Sequence, residues 1–221
     1  MVDSPAEAWN WRQEGALGGP RPLRASPTPP FRQRAWPWTY LRWRWDMLRH
    51  WRRVRSYVKP GAVMVEVGTW RGASAERWLR QGVARIVMVD PYVPQANASW
   101  EGRCTWLQMD DAYRQARWRL STWLWTGQAR FLTMHSLEAV KGAKDESLDA
   151  VYLDGDHYQE SVEADLQAWW PKVKPGGVLI GDDYLLHRWW GPGVIAAFDA
   201  FQPKDCASRR QHGRWMVLVK A

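Results

Sequence analysis

The 221-residue sequence predicts an α/β domain built on an open, mostly parallel sheet with helices on both faces. Two observations carry this prediction. After Pro60 the chain alternates short apolar runs with segments of helical periodicity, a pattern typical of parallel strands joined by crossover helices. Glycines and aspartates follow several of the apolar runs, and ligands of such sheets bind at the carboxyl ends of the strands.

The predicted elements alternate regularly along this part of the chain. The apolar runs are short and rich in Val, Ile and Leu, which favours buried strands over helices. The predicted strands are Val63–Val67, Ile86–Val89, Arg130–Met134, Leu148–Leu153, Val178–Ile180 and Trp215–Val219. The predicted helices are Gly72–Gly82, Asp111–Trp125, Tyr158–Trp170 and Val194–Phe201. We therefore assign residues 61–221 to one domain.

The first 60 residues have a different character. They hold 12 Lys and Arg against 4 Asp and Glu, so the net charge of +8 belongs to this part of the chain. Residues 1–37 are rich in Pro and Trp, and their Gly and Pro clusters predict a poorly ordered tail. Residues 38–60 predict a basic amphipathic helix, because Leu41, Trp45 and Leu48 recur at helical spacing.

Two interpretations of the basic helix stay open from the sequence. Its Trp and Arg side chains are suited to nucleic acid or to an anionic membrane surface. Alternatively, the Trp and Leu stripe packs on the following domain while the arginines reach water.

Composition excludes several classes of protein. The hydrophobic fraction of 46% and charged fraction of 24% are close to globular averages. No apolar run approaches the roughly 18 residues of a membrane-spanning helix, and no secretory signal is recognised at Met1. Cys104 and Cys206 are too few for a disulfide scaffold. We expect a cytoplasmic protein with free thiols.

A glycine-containing turn follows the first predicted strand, in the segment Val65–Gly72. Gly68 and Gly72 permit a tight turn that a ligand can approach, and the next helix directs its amide groups there. Asp90 ends the second strand, where an acidic side chain accepts hydrogen bonds from ribose hydroxyls. Glycines also serve ordinary strand-to-helix turns, and Asp90 before Pro91 also suits a turn residue.

Carboxylates are concentrated after the fourth and fifth strands. Asp154 and Asp156 follow the fourth, and Asp182 and Asp183 follow the fifth. Because adjacent parallel strands end at the same edge, these four side chains are predicted to converge. Such crowding of negative charge requires a cation or strong donors, and oxygen ligands suit Mg²⁺ or Ca²⁺. For a single Asp, capping of the following helix is the alternative.

These segments resemble a known family. The resemblance covers about residues 60–200 and is most specific in its second half. The chain is similar to class I S-adenosylmethionine-dependent methyltransferases, and within them to small-molecule O-methyltransferases with D-G-D-H-x-Y and G-D-D-Y segments. The matching stretches are Val65–Gly72, Asp90–Tyr92, Val151–His157, Trp169–Gly177 and Gly181–Tyr184. The implied fold is a Rossmann-like α/β sheet.

The resemblance also implies roles for individual residues. Glu66, Gly68, Thr69 and Gly72 would bind the methionine end of S-adenosylmethionine, Asp90 its ribose, and Ser136 would lie near its adenine. In metal-dependent relatives Mg²⁺ is bound by one acid after the fourth strand and by an acid/amide or acid/acid pair after the fifth. These positions are Asp154, Asp182 and Asp183 here. In those relatives a lysine three residues after the first ligand is the base; this chain has His157 at that position, with Asp156 as the competing residue.

The predicted activity is therefore metal-assisted O-methylation of a hydroxylated small molecule, such as a sugar, a phenolic compound or another natural product. The predicted loops 93–109, 187–192 and 202–213 would shape the acceptor pocket. The alternative function is a nucleic-acid or membrane-surface binding protein that acts through the basic helix. A third reading makes the N-terminal arm a lid or a surface for homo-oligomers.

Overall fold

The computed structural model describes residues 47–94, 105–186 and 191–221, which form one sheet with helices on both faces. The seven strands follow the order β3-β2-β1-β4-β5-β7-β6 across the sheet. The strands are β1 (Val63–Val67), β2 (Arg85–Val89), β3 (Ala129–Leu132), β4 (Leu148–Leu153), β5 (Val173–Gly181), β6 (Cys206–His212) and β7 (Trp215–Lys220). The first five strands run parallel, and β7 and β6 are antiparallel to their neighbours. The predicted fold class is confirmed.

Helices connect the strands and cover the sheet. They are α1 (residues 47–55), α2 (Ala73–Arg80), α3 (Trp106–Arg119), α4 (Ser121–Trp125), α5 (Ser136–Ala139), α6 (Gln159–Trp169) and α7 (Gly193–Ala200). Two 3₁₀ turns, Val140–Gly142 and Trp170–Lys172, complete the described elements. No helix in the described part of the chain is long and apolar enough to cross a bilayer.

In the structure, the segment predicted as one helix over Asp111–Trp125 begins earlier and is divided into two helices, α3 and α4. It begins at Trp106 because Thr105 and Gln108 form a capping box, in which each side chain bonds to the other residue's amide. The interruption falls at Leu120, which separates α3 from α4. Part of the predicted loop 93–109 is therefore helical.

The strand β6 was missed by the sequence analysis, which read residues 202–213 as a loop. The error has a physical cause. The β6 sequence Cys-Ala-Ser-Arg-Arg-Gln-His contains no large aliphatic residue, because this strand lies at the edge of the sheet with most side chains exposed or half-buried. Charged residues are common on edge strands, where they oppose pairing with other chains.

The sheet divides the core into two apolar layers. One layer packs α5, α6 and α7 on one face, with Trp169, Leu166 and Phe198 among its buried side chains. The other layer packs α1 and α2 on the opposite face, around Trp78 and Tyr152. Strand residues contribute alternately to the two layers, which explains why the central strands are mostly apolar on both faces.

The described part of the basic helix packs on the domain. Val54 is fully buried, and the Trp51 ring lies 4.6 Å from the Trp78 ring and 5.8 Å from the Trp215 ring. Leu48, which the sequence analysis placed on the packing stripe, is 50% exposed. The contact therefore runs along a neighbouring stripe, and within residues 47–55 the packing interpretation is favoured. The predicted tail 1–37 and Leu41 and Trp45 lie outside the described residues.

Candidate active site at the carboxyl edge of the sheet

Gly68 lies directly after β1 and contacts the end of β4. Its φ is +83°, and a Cβ there would stand 2.0 Å from the Asp154 carbonyl oxygen and 2.6 Å from Cα of Gly155. The Gly68 amide donates to the Val89 carbonyl at the end of β2, and the Asp154 amide donates to the Val67 carbonyl, both at 2.8 Å. A ligand bound on this turn therefore lies next to Asp154.

Two buried polar side chains beside this turn have unpaired atoms. Oε1 of Glu66 accepts a hydrogen bond from the Ser74 hydroxyl at 2.9 Å. Its Oε2 and the Thr69 Oγ1 have no hydrogen-bond partner in the described part of the chain. Because buried polar atoms are costly to leave unpaired, their position suggests a ligand that supplies donors. Burial raises the pKa of Glu66 to about 8.

The raised pKa makes stability depend on pH. The Glu66 carboxyl has a pKa of about 4.5 in the unfolded chain and of about 8 in the folded domain. Its contribution to the free energy of unfolding is therefore fully present below pH 4.5 and is lost as the pH rises from 4.5 to about 8. We expect Glu66→Gln, which is neutral throughout, to remove this component of the pH dependence. Urea unfolding at several values between pH 5 and about 8.5 measures it. Glu138→Gln, at an exposed position, is the control. Equal pH profiles for wild type and Glu66→Gln would contradict the prediction.

Asp90 holds the turn after β1 through its carboxylate. Oδ2 accepts the amides of Thr69 at 3.0 Å and Trp70 at 2.8 Å, and Oδ1 accepts the amide of Tyr92 at 2.8 Å. Burial raises the pKa of Asp90, and these amides oppose the rise. The structure therefore gives Asp90 a role in ordering the turn, and its contact with a ribose stays a prediction.

Ser136 lies after β3 at the same edge of the sheet, at the start of α5. Its hydroxyl oxygen accepts a hydrogen bond from the Trp169 indole at 2.8 Å, and it also bonds to Asp165. Burial raises the pKa of Asp165 to about 6, although the bond to Ser136 opposes the rise. These contacts attach α5 to α6, and the proximity of Ser136 to an adenine stays a prediction.

The carboxylates after β4 and β5 come together as their strand positions require. The pairing of Leu153 with Gly181 places Asp154 beside Asp182 and Asp183. Both acids after β5 are bound by the guanidinium of Arg214, with Nε directed to Asp182 and a terminal nitrogen to Asp183. Arg214 precedes β7, so the β6–β7 hairpin delivers a counter-charge to the acidic group.

Asp182 is held from several directions. Oδ2 accepts the Tyr152 hydroxyl at 2.5 Å, and Oδ1 accepts the Asp183 amide at 2.7 Å. The Trp215 indole donates in turn to the Tyr152 oxygen at 3.2 Å. Burial raises the pKa of Asp182, while Arg214 opposes the rise. Both oxygens of Asp182 are thus occupied by groups of the protein.

His157 and Asp156 have different surroundings. Nε2 of His157 lies 2.8 Å from Oδ2 of Asp183, which fixes the imidazole beside a carboxylate. The Asp156 carboxylate accepts the amides of His157 at 2.7 Å and Tyr158 at 3.2 Å and so caps the turn before α6. A small cavity beside them is lined by Asp154, Asp156, His157, Asp165 and Asp182 and by apolar side chains.

A divalent cation fits one part of this group. Ligand atoms of Asp154, His157 and Asp183 all lie within 4.8 Å of one another. Asp182, predicted as a ligand, is not in this set, because its oxygens face Tyr152, Arg214 and a backbone amide. Burial and the neighbouring acids Asp182 and Asp183 raise the pKa of Asp154, and the charge of Arg214 opposes the rise.

Sequence reasoning missed Arg214 and Tyr152. Tyr152 lies within an apolar strand, and nothing in the sequence distinguishes it from an ordinary buried strand residue. Arg214 lies in the turn between β6 and β7, after a segment that was read as a loop, so its approach to β5 was not visible. A polar strand next to the apolar run 215–219 was the signal that could have indicated a hairpin.

Comparison with known proteins assigns the chain to a protein family. The sequence profile of a family described as "Methyltransferase domain" matches residues 65–184, more than half of the chain. A search of the curated proteins gave no match. The chain belongs to the methyltransferase family and is a class I S-adenosylmethionine-dependent enzyme. The predicted family is confirmed.

Solved structures share the fold at low sequence identity. An O-methyltransferase from Bacillus cereus in complex with SAH is 16% identical, with 79% of this chain and 81% of that chain covered and a TM-score of 0.51. The O-methyltransferase NovP is 23% identical, with 72% of each chain covered and a TM-score of 0.54. A putative caffeoyl-CoA O-methyltransferase from Staphylococcus aureus is 13% identical, with 80% and 82% covered and a TM-score of 0.53.

Proposed function

We propose that the protein transfers the methyl group of S-adenosylmethionine to a hydroxyl oxygen of a small molecule. The observation that carries the proposal is the His157–Asp183 pair, at 2.8 Å, within an acidic group that adjoins the glycine turn. Such a pair can remove a proton from a hydroxyl group next to the bound cofactor. The B. cereus and NovP proteins are O-methyltransferases, which supports this class of acceptor.

The cofactor would lie across the carboxyl ends of β1, β2 and β3. Glu66, Gly68, Thr69 and Gly72 are proposed to bind its methionine end, where Oε2 of Glu66 and Oγ1 of Thr69 are available for hydrogen bonds to the ligand. Asp90 is proposed to bind the ribose and Ser136 to face the adenine. The SAH bound in the B. cereus enzyme supports this cofactor.

The chain's own residues would act in sequence. Asp183 orients the His157 ring and stabilises the imidazolium that forms when His157 takes the acceptor's proton. S-adenosylmethionine, when bound, would supply the methyl group to the deprotonated oxygen, with S-adenosylhomocysteine as the leaving group. Asp154, held against Gly68, keeps the acceptor and cofactor sites adjacent. Positioning of the two reactants would supply most of the rate enhancement.

A hard divalent cation, with Mg²⁺ as the candidate, is the second part of the proposal. Asp154 and Asp183 would hold it with oxygen ligands, and His157 lies within reach of the same position. When bound, such a cation lowers the pKa of a coordinated hydroxyl. Arg214 binds one oxygen of Asp183 as well as Asp182, so cation binding would require this guanidinium to move. We propose Asp182 as a ligand only in a state in which the Tyr152 hydroxyl and the Asp183 amide have also released it.

Calorimetric titration with S-adenosylmethionine tests the cofactor assignment. We expect micromolar binding that survives a chelator, because none of the proposed cofactor residues belongs to the group that could bind a cation. Mass spectrometry of hydroxylated acceptors, with Mg²⁺ and with chelator, then tests methyl transfer. Absence of binding in both conditions would contradict the proposed function. Transfer only to amines would place the acceptor in another class.

A further inference from the structure

A group of basic side chains lies beside the candidate active site, on the face of the sheet that α1 covers. The His50 ring lies against Gly213, next to His212 in the chain, and Arg53 follows His50 by three residues on α1. Burial and the charges of Arg53, His50 and Arg210 lower the pKa of His212, so the two arginines carry the positive charge of the group. The Tyr57 hydroxyl lies 3.1 Å from Nε2 of His212 and joins α1 to the hairpin. We name His50, Arg53, Arg210 and His212 the basic cluster.

Side chains along β6 alternate between the two faces of the sheet, and the members of the basic cluster on this strand share one face. Arg210 and His212 point to the α1 side, because residues two apart on a strand share a face. Arg209 points to the opposite side, where it binds Asp199 of α7 at 3.0 Å. The His50 ring lies against Gly213 in the hairpin turn, so helix and hairpin hold the cluster together.

The basic cluster is not neutralised within the described part of the chain. Arg209, Arg214 and Arg119 each have a carboxylate partner. No acidic side chain among the described residues pairs with Arg53 or Arg210, and both are exposed. An exposed guanidinium without a carboxylate partner can form charge-assisted hydrogen bonds to an anion. The cluster therefore has the charge and exposure of an anion-binding surface.

The basic cluster also lies close enough to the acidic group for one small molecule to contact both. His212 ends β6 and Asp182 follows β5, and β7 alone separates these two strands. Because neighbouring strands are about 4.8 Å apart, the backbones at these two positions are about 10 Å apart. Arg214, two residues after His212, contacts Asp182 and Asp183 directly. An acceptor seated at the carboxylates could extend an anionic group to the cluster.

We propose that the basic cluster binds a phosphate or diphosphate group carried by the small-molecule acceptor. This inference rests on the proposed function, because it concerns the acceptor of the same site. The arginines would supply charge-assisted hydrogen bonds to phosphate oxygens. The hydroxyl to be methylated would then belong to the part of the acceptor that extends from the basic cluster to the carboxylates, such as a sugar attached to the phosphate.

Binding of UDP, inorganic pyrophosphate and uridine to the full chain tests this proposal. We expect UDP and pyrophosphate to compete for one site, and uridine to bind at least about tenfold more weakly than UDP. Arg53→Glu/Arg210→Glu is expected to lower UDP affinity by about tenfold or more. Arg53→Gln/Arg210→Gln serves if the reversed charges prevent folding. S-adenosylmethionine affinity, measured on the same samples, should stay within about twofold in each variant.

A matched control is Lys144→Glu/Lys204→Glu, which reverses two exposed charges outside the basic cluster and should leave UDP affinity unchanged. Equal UDP affinity in the arginine variants and wild type, with cofactor binding intact, would overturn the proposal and leave the proposed function standing. Equal binding of uridine and UDP would also overturn it. Tighter, steeply salt-dependent binding of a single-stranded oligonucleotide would replace the phosphorylated acceptor with nucleic acid. Loss of S-adenosylmethionine binding in wild type would instead contradict the proposed function.

Discussion

Replacing Gly68 by alanine is expected to abolish cofactor binding and to destabilise the domain by about 3 kcal/mol. Two effects combine. The φ of +83° is unfavourable for a residue with a Cβ, and that Cβ would overlap the Asp154 carbonyl group at 2.0 and 2.4 Å. Because the obstructing atoms are backbone at the end of β4, they cannot rotate away. The turn after β1 must move, and with it the proposed methionine site.

Gly61→Ala is the control for this substitution. Gly61 has a similar φ of +86°, but a Cβ there meets nothing within 4 Å. We expect it to cost only about 1 kcal/mol and to leave S-adenosylmethionine binding unchanged. Urea unfolding measures both variants, and calorimetry compares their cofactor affinity. Equal destabilisation by the two alanines would show that the contact with β4 has no energetic role.

Replacing His157 by glutamine is expected to lower kcat by about 10²- to 10⁴-fold, the usual contribution of a general base. S-adenosylmethionine affinity should stay within about twofold, since the imidazole bonds to Asp183 and is not among the proposed cofactor residues. Single-turnover measurements with an identified acceptor separate the chemical step from product release. Retention of full kcat would remove His157 from the mechanism.

Two further variants separate the roles near His157. His135→Gln changes an exposed histidine before α5 and should leave kcat unchanged. Asp156→Asn keeps a side-chain oxygen that can accept the amides of His157 and Tyr158 but removes the carboxylate. We expect it to reduce kcat far less than His157→Gln. The reverse order would assign the proton transfer to Asp156.

The sequence was sufficient for the central sheet because its strands are buried on both faces. Runs such as Val63–Val67 and Leu148–Leu153 are apolar except for Glu66 and Asp149, and the turns that follow them contain Gly68 and Asp154. The two layers of the core require this pattern, so it is visible without a structure. The edge strand β6 lacks the pattern, because one exposed edge and two partly exposed faces impose little on its composition.

The candidate site was predictable only where it depends on parallel neighbours. The approach of Asp154 to Asp182 follows from the pairing of β4 with β5. The binding of Asp182 by Arg214 joins residues 32 apart through an antiparallel hairpin, and no local pattern encodes it. The same hairpin determines which oxygens of the acidic group are occupied. The convergence of these acids at one edge therefore followed from the strand order, while the competition for Asp182 could not be foreseen, and metal binding by the acids stays a prediction.

The pairing of Arg214 with Asp182 and Asp183 also has a consequence for folding of the chain as the ribosome makes it. A ribosome makes Asp182 and Asp183 before Arg214, which follows them by 32 and 31 residues. Until the hairpin docks on β5, the nascent domain holds Asp154, Asp182 and Asp183 without their guanidinium partner. Electrostatic repulsion at the carboxyl edge would keep that edge open during this interval. The active site would thus be the last region of the domain to close, and docking of one hairpin would mark the end of folding.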